Sequence, residues 1–277
     1  MGIRNLLLGI LASACMLGSA AAASAQTVVN PAPSGEDSLI TILGKSYGYT
    51  VPQLVGGSSI GSSVSYSDGG SNSILFTRIA DTGGAAGLLP LNGTITNRND
   101  TNWQDGTPTF AIEAKFAAYN QVFGWKNVAG GGALQDLISI TGNGYSPTSM
   151  TLASPSTLSS NFLWYDQEQT TFNRWFSDPS ANALDTADDH MVTFFVTGKT
   201  STGTLINGGL GAYVLAFEDL RFGYPADKDY NDLVVQVAAV PGTGTPRPVP
   251  LPSAVWAGMG LLGLLAGARL IARHRAR

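Results

Sequence analysis

The chain has 277 residues with a single cysteine, Cys15, in its apolar N-terminal segment, so disulfides, cysteine nucleophiles and thiolate metal sites are excluded elsewhere. Only 12% of residues are charged, and the 34 glycines together with abundant Ser and Thr favour a secreted, turn-rich β fold. Between the two end segments lie ten basic and 19 acidic residues, a balance that opposes nucleic-acid binding and permits binding of hard cations.

The N-terminus has the form of a secretory signal peptide. Arg4 is followed by an apolar stretch over residues 6–17 and then by Ala23-Ser24-Ala25, the small-x-small pattern that signal peptidase cleaves. We therefore predict export across the inner membrane and removal of residues 1–25 by cleavage after Ala25. The alternative is an uncleaved anchor, which the short apolar stretch disfavours.

Residues 26–106 form a Ser/Gly-rich region with few clear signals. The apolar runs at residues 39–43 and 74–76 predict edge strands or a loose N-terminal subdomain. The sequence leaves open whether this region is a separate domain.

Strand patterns sharpen over residues 107–240. Phe110, Ile112, Ala114 and Phe116 recur with period two, as in a half-buried strand. Further predicted strands cover residues 123–126, 134–141, 161–165, 191–197, 212–217 and 233–240. Each is short and bounded by Gly, Pro, Asn or Asp, so we predict an all-β fold, an antiparallel β-sandwich or jelly-roll-like domain.

An aromatic cluster lies in the middle of this region. It comprises Phe162, Trp164, Tyr165, Phe172, Trp175 and Phe176, with Leu163 among them. Such residues can form a sugar-stacking platform, but packing in the core is their commoner role. His190 is the only histidine outside the C-terminal tail, which argues against a zinc site, and we expect it to be structural.

The segment after the predicted strand 212–217 is strongly acidic. Its carboxylates are Glu218, Asp219, Asp227, Asp229 and Asp232, opposed locally by Arg221 and Lys228. Like charges so close raise each other's pKa and destabilise the fold unless a cation compensates. Calcium is suited to this role because it takes six to eight oxygen ligands in flexible geometry.

The spacing Asp227-x-Asp229-x-Asn231 matches the start of an EF-hand loop, but Asp232 and Ala238 replace the required glycine and glutamate. We therefore predict a calcium site in a loop between two strands, with Asp188 or Asp189 as a remote acid. The predicted ligands are Glu218, Asp219, Asp227, Asp229, Asn231, Asp232 and Asp189. The alternative is a solvated acidic turn.

Three stretches in this half of the chain resemble the C-terminal part of the domain of unknown function 4114. They are residues 190–198, residues 213–220 with Phe-Glu-Asp-Leu, and residues 227–234 with Tyr-Asn-Asp. The resemblance is firm over about residues 188–240. It implies a secreted or surface protein, often with a sorting tail, and carries no known activity.

The C-terminus combines a linker, a motif, an apolar run and a basic tail. The Pro/Gly-rich residues 241–248 lead to Val249-Pro250-Leu251-Pro252, then to an uncharged run over residues 254–268. Leu270, Ile271 and Ala272 extend the run, so we predict a single transmembrane helix of marginal length. The basic residues Arg269, Arg273, Arg275 and Arg277 place the C-terminus in the cytoplasm.

Residues 249–277 resemble the PEP-CTERM sorting signals of Gram-negative bacteria, in the Val-Pro-Leu-Pro-Ala variant, with Ser253 in place of the alanine. The resemblance implies cleavage by an exosortase and transfer from the inner membrane to the cell surface or its exopolysaccharide matrix. We therefore expect a non-enzymatic, calcium-binding surface or matrix protein with a structural or adhesive role. The alternatives are a lectin-like sugar-binding module, a carbohydrate-active enzyme, and a permanently anchored single-span protein.

Overall fold

The computed structural model describes residues 27–56, 63–81, 89–90, 99–104, 108–128, 132–145, 149–152, 161–185, 188–222 and 227–239. All of these described residues belong to one compact unit. Ala23, Ala25 and the motif Val249-Pro250-Leu251-Pro252 lie outside the described residues, as does the predicted transmembrane segment. Within the described ranges, no helix is long and apolar enough to cross a bilayer.

The described chain is mostly β, with one short α-helix. Helix α1 is Leu39–Ser46. The strands are β1 Leu54–Gly56, β2 Val64–Ser67, β3 Ser73–Arg78, β4 Leu89–Pro90, β5 Trp103–Gln104, β6 Pro108–Lys115, β7 Gln121–Asn127, β8 Leu134–Thr141, β9 Gly144–Tyr145, β10 Ser149–Leu152, β11 Phe162–Glu168, β12 Arg174–Phe176, β13 Met191–Gly198, β14 Ala212–Phe217 and β15 Leu233–Ala239. Short 3₁₀ turns cover Val51–Gln53, Pro179–Ala181 and Ile206–Gly209.

Two sheets pack as a sandwich. The first has the order β1-β2-β3-β13-β14-β15-β6-β9, and the second has the order β10-β8-β7-β11-β5-β4 with β12 paired to β11. Neighbouring strands are antiparallel except for the two-residue pair β4–β5. Every residue of β14, at the centre of the first sheet, is buried, because both faces of that sheet are covered.

Alternation along β13 and β14 divides the apolar core in two. Val192 and Val214 face one side of the first sheet, where α1 packs, and Leu215 faces the other. The second side meets Trp164 and other aromatic residues of the second sheet. The interior of the sandwich is therefore built from period-two side chains of both sheets.

The strands predicted from residue 107 onwards are confirmed. Those predicted at residues 134–141 and 212–217 have the bounds of β8 and β14, and the others overlap β6, β7, β11, β13 and β15. The run at residues 74–76 lies in β3.

The run at residues 39–43, read from sequence as an edge strand, is instead the first part of α1. Leu39, Ile42 and Leu43 are the buried positions, which is helical spacing. The Ser38 side chain accepts a hydrogen bond from the backbone N–H of Thr41 and so begins the helix. The prediction of an edge strand from this apolar run was therefore wrong.

Gly124 on β7 fits a position that has no room for a side chain. A Cβ atom there would lie 2.4 Å from the Gln135 carbonyl oxygen and 2.5 Å from the Tyr165 ring. We expect Gly124→Ala to lower the free energy of unfolding by about 2–3 kcal/mol, because the β7–β8 and β7–β11 pairings must shift. Urea denaturation measures this. Gly70→Ala, which meets only an exposed Asp68 side chain at 3.2 Å, is the control and should change stability by less than about 0.5 kcal/mol.

Candidate metal centre

Carboxylates gather in three groups within the described residues. In each group one oxygen from every member lies within 4.8 Å of the others. We name them by their central residue. The Asp219 cluster is Glu218, Asp219 and Asp232; the Asp229 cluster is Glu36, Asp227 and Asp229; the Asp100 cluster is Asp81, Asp100 and Asp189.

The Asp219 cluster forms where two neighbouring strands end. Phe217, the last residue of β14, pairs with Leu233, the first of β15. The residues just beyond this pair, Glu218 and Asp219 on one chain segment and Asp232 on the other, therefore meet. The Asp219 backbone N–H donates to Asp232 Oδ2 at 2.8 Å, which fixes their approach.

Burial makes this cluster electrostatically unfavourable. Glu218 and Asp219 are 1% and 2% exposed. Burial, with added repulsion from Asp227, Asp229 and Asp219, raises the pKa of Glu218 to about 8. Burial also raises the pKa of Asp219, and it raises the pKa of Asp232 well above its usual range. Either protons or a cation must neutralise these groups at neutral pH.

Gln121 and Asp166, from the second sheet, complete the surroundings of Asp219. Gln121 Nε2 donates to Asp219 Oδ2 at 3.0 Å. Gln121 Oε1, Glu218 Oε2 and both Asp166 carboxylate oxygens are buried without a hydrogen-bond partner. The Asp219 cluster therefore lies beside acceptor oxygens that a cation would satisfy.

Lys115 at the end of β6 supplies positive charge near the same site. Its Nζ donates to the Ala117 carbonyl at 2.7 Å and to Asn143 Oδ1 at 2.8 Å. Burial lowers the pKa of Lys115, and the negative charges of Asp219, Asp166 and Asp232 offset part of this decrease. One ammonium group balances only part of this negative charge.

The Asp229 cluster joins the acidic loop to the N-terminal segment. Asp229 is 1% exposed, and burial, followed by the charge of Asp227, raises its pKa to about 7. Asn231, a predicted ligand, donates its Nδ2 to Asp229 at 2.5 Å and to Glu36 at 3.2 Å, so its amide nitrogen rather than its oxygen faces this cluster. The Asn30 backbone N–H donates to the Lys228 carbonyl at 2.8 Å and holds the loop from outside.

The acidic loop does not follow the alternating pattern of an extended segment. Lys228 and Tyr230 have φ of 61° and 57°, in the left-handed region that non-glycine residues rarely occupy. The Tyr230 hydroxyl is buried and donates to the Asp189 carbonyl, which fixes one side of the loop against the start of β13.

The structure divides the six predicted carboxylate ligands among the three clusters, while Asn231, the seventh predicted ligand, only donates to the Asp229 cluster. Asp189 lies in the Asp100 cluster, apart from the other predicted ligands, while Asp188 is half-buried and its carboxylate lies 3.9 Å from the Lys228 ammonium. Sequence reasoning missed Glu36 and Gln121, which come from distant parts of the chain. Asp166 could have been predicted, because Asp166, Gln167 and Glu168 end a strand that is otherwise apolar.

His190 lies in an aromatic sandwich between Trp175 and Phe222. Its ring stacks at centroid distances of 3.8 Å and 4.1 Å, and burial lowers its pKa. Trp175 Nε1 also donates to the Asp219 carbonyl oxygen at 2.6 Å. These stacked rings position the backbone at the Asp219 cluster.

The aromatic cluster singled out in the sequence lies in the core. Phe162, Trp164, Tyr165, Trp175 and Phe176 are buried, and Phe172 alone among the cluster's aromatic residues is exposed. Within the described residues there is thus no exposed row of Trp and Tyr beside the acidic loop.

Comparison with known proteins identifies the part of the chain that holds the acidic loop. Neither a curated protein nor a solved structure matches the chain. One family model, that of a domain of unknown function, matches residues 148–240, which include β10 to β15, the Asp219 cluster and Asp189. Residues 148–240 are a DUF4114 domain.

Proposed function

We propose that this is a secreted, non-enzymatic surface or matrix protein whose β-sandwich binds calcium at the Asp219 cluster. The observation that carries the proposal is the pair of buried oxygens, Glu218 Oε2 and Gln121 Oε1, that have no hydrogen-bond partner beside three clustered carboxylates. An unpaired buried acceptor is costly, so a ligand that satisfies it is stabilising.

The chemistry of the donors favours calcium over other metals. The surrounding groups are carboxylate and amide oxygens, and the cluster lacks the imidazole and thiolate ligands that zinc prefers. The neighbouring Asp229 cluster adds negative charge, since both Asp227 and Asp229 act on Glu218. Calcium would neutralise groups that otherwise repel one another, and it would fix the loop between β14 and β15.

The cellular part of the proposal rests on the sequence. The pattern around Ala23 and Ala25 supports cleavage by signal peptidase, and the segment 249–277 supports inner-membrane anchoring followed by exosortase processing. The proposed role is structural or adhesive, in association with exopolysaccharide. The rival carbohydrate-binding and carbohydrate-active functions gain no support from the aromatic cluster, because its aromatic residues other than Phe172 are buried.

A calcium titration followed by thermal unfolding tests the proposal. We expect calcium at about 100 times its Kd to stabilise the purified protein by about 2.7 kcal/mol, which raises Tm by about 5–10 °C. The double variant Asp219→Asn, Asp232→Asn should lose the part of the shift that the Asp219 cluster supplies, since it replaces two carboxylate ligands by neutral side chains of similar size.

Asp188→Asn is the matched control. Asp188 was the other candidate for the remote acid, but its side chain is 42% exposed and it lies outside the clusters, so the variant should respond to calcium as the wild type does. Equal Tm shifts in wild type and the double variant would contradict the proposed site.

A further inference from the structure

The Asp100 cluster has no part in the proposed function, and the chain topology assembles it. Asp81 follows β3 and Asp189 precedes β13, and these two strands are antiparallel neighbours whose ends meet. Asp100 reaches the same place because its backbone N–H donates to the Ala80 carbonyl at 3.0 Å. Three carboxylates distant in sequence thus converge.

The three carboxylates of the Asp100 cluster are buried. Asp81, Asp100 and Asp189 are 1%, 1% and 7% exposed. Their nearest oxygens lie within 4.8 Å of one another, a separation that one ion with Ca–O distances of about 2.3–2.6 Å can bridge.

Arg78 compensates only part of the charge. Its Nη2 donates to both oxygens of Asp81, at 2.8 and 2.9 Å. With all three carboxylates ionised, the cluster and Arg78 together carry two negative charges. A divalent cation cancels this charge, whereas Arg78 alone cannot.

Asp100 provides the observation that points to a ligand. By distance and angle, neither carboxylate oxygen of Asp100 has a hydrogen-bond partner, and the hydroxyl of the fully buried Thr193 has none either. That hydroxyl nevertheless lies close enough to Asp100 to favour its ionised carboxyl, which opposes the rise that burial causes in the Asp100 pKa. The other two carboxylates differ, since Thr27 donates its backbone N–H to Asp81 and Met191 donates to Asp189 at 3.1 Å. The oxygens left unpaired at this site are therefore those of Asp100 and Thr193.

We propose that Asp81, Asp100 and Asp189 form a second calcium site, separate from the Asp219 cluster, with the Thr193 hydroxyl as a further ligand. The ion ties the end of β3 to the start of β13 and to the segment around Asp100. Two of its three carboxylates come from outside residues 148–240, so the site joins the DUF4114 domain to the chain that precedes it.

The titration behaviour of the carboxyls agrees with the geometry. Burial, followed by the charges of Asp81 and Asp189, raises the pKa of Asp100 well above its usual range. Burial also raises the pKa of Asp189 to about 8. Without a cation, the cluster must hold protons at neutral pH.

Calcium stoichiometry at pH 8, measured by isothermal titration calorimetry, tests the second site. Asp100→Asn is expected to bind one calcium ion fewer than the wild type. Because asparagine is neutral and of similar size, this variant should be at least as stable as the wild type in chelator. Asp188→Asn is the control and should keep the wild-type stoichiometry.

The two calcium sites can be separated in the same assay. The double variant Asp219→Asn, Asp232→Asn should retain the ion that depends on Asp100, and Asp100→Asn should retain the one that depends on Asp232. Failure of the first site alone would thus leave the second measurable. Wild-type calcium stoichiometry in both Asp100→Asn and Asp189→Asn would overturn the proposal. If Asp100→Asn does not fold, the stoichiometry of Asp189→Asn alone tests the second site.

Discussion

Calcium-free protein is expected to be less stable at pH 8 than at pH 5, by about 3–6 kcal/mol in the free energy of unfolding. Burial raises the pKa of Glu218 and Asp189 to about 8 and that of Asp229 to about 7. Unfolded carboxyls titrate near pH 4. Between these values the folded state holds protons that the unfolded state has lost, so stability falls as pH rises through the folded pKa values.

Two other groups shape this profile. Burial raises the pKa of Glu113, outside the clusters, to about 7, so it adds to the loss on the alkaline side. His190 acts in the opposite sense, because burial lowers its pKa and its contribution to stability is lost as pH falls below about 6.5. Because four carboxyls with a raised pKa oppose this one histidine over the same range, the calcium-free optimum should lie at about pH 5 or below.

Urea denaturation in chelator at pH 5, 6, 7 and 8 measures the profile, and the same series in saturating calcium is its control. Calcium should flatten the fall between pH 6 and 8, because the cation replaces the protons that the clusters would otherwise hold. Stability that rises steadily from pH 5 to 8 in chelator would show that the buried carboxyls are already compensated by the protein.

Trp175→Ala is expected to lower the free energy of unfolding by about 3–5 kcal/mol and to weaken calcium binding. Trp175 is fully buried, stacks on His190 at 3.8 Å and donates its indole N–H to the Asp219 carbonyl. Removal of the ring leaves a cavity and frees the backbone that carries Asp219. Chemical denaturation in chelator measures the first effect, and calorimetric titration measures the second.

Two variants separate packing from positioning. Trp175→Phe keeps an aromatic ring but loses the N–H donor, so it should cost about 1–2 kcal/mol of stability and still weaken calcium binding. Trp125→Ala removes another buried indole, one that packs on Phe162, and should destabilise the protein without changing calcium affinity. If Trp125→Ala weakened calcium binding as much as Trp175→Ala, general destabilisation would explain both.

Local patterns predicted most of the sandwich because a strand's alternation depends on neighbouring residues alone. Thus β8 and β14 were predicted with their observed bounds. Helix α1 was missed because residues 39–43 are almost continuously apolar, and such a short run fits either period. The Ser38 cap was the signal that distinguished them.

The candidate metal centre was less accessible from the sequence because its residues come from distant segments. The acidic stretch identified Glu218, Asp219 and Asp232, which strand pairing brings together locally. The sequence did not show that Asp189 lies apart from these three residues. The position of Asp189 depends on the pairing of β13 with β3, which the sequence pattern does not reveal. Glu36, Asp100 and Gln121 reach their sites only through tertiary packing, which no spacing along the chain encodes.

The strand order also governs when the protein can fold during synthesis. In the first sheet β3 pairs with β13 and β6 pairs with β15, so strands made early wait for partners more than 100 residues later. Pairings with such long sequence separation close slowly, since the entropy of closing a large loop is lost before contacts repay it. The chain cannot complete this sheet until residue 239 has been made, so the proposed export would begin while the strands of the first sheet still lack their partners.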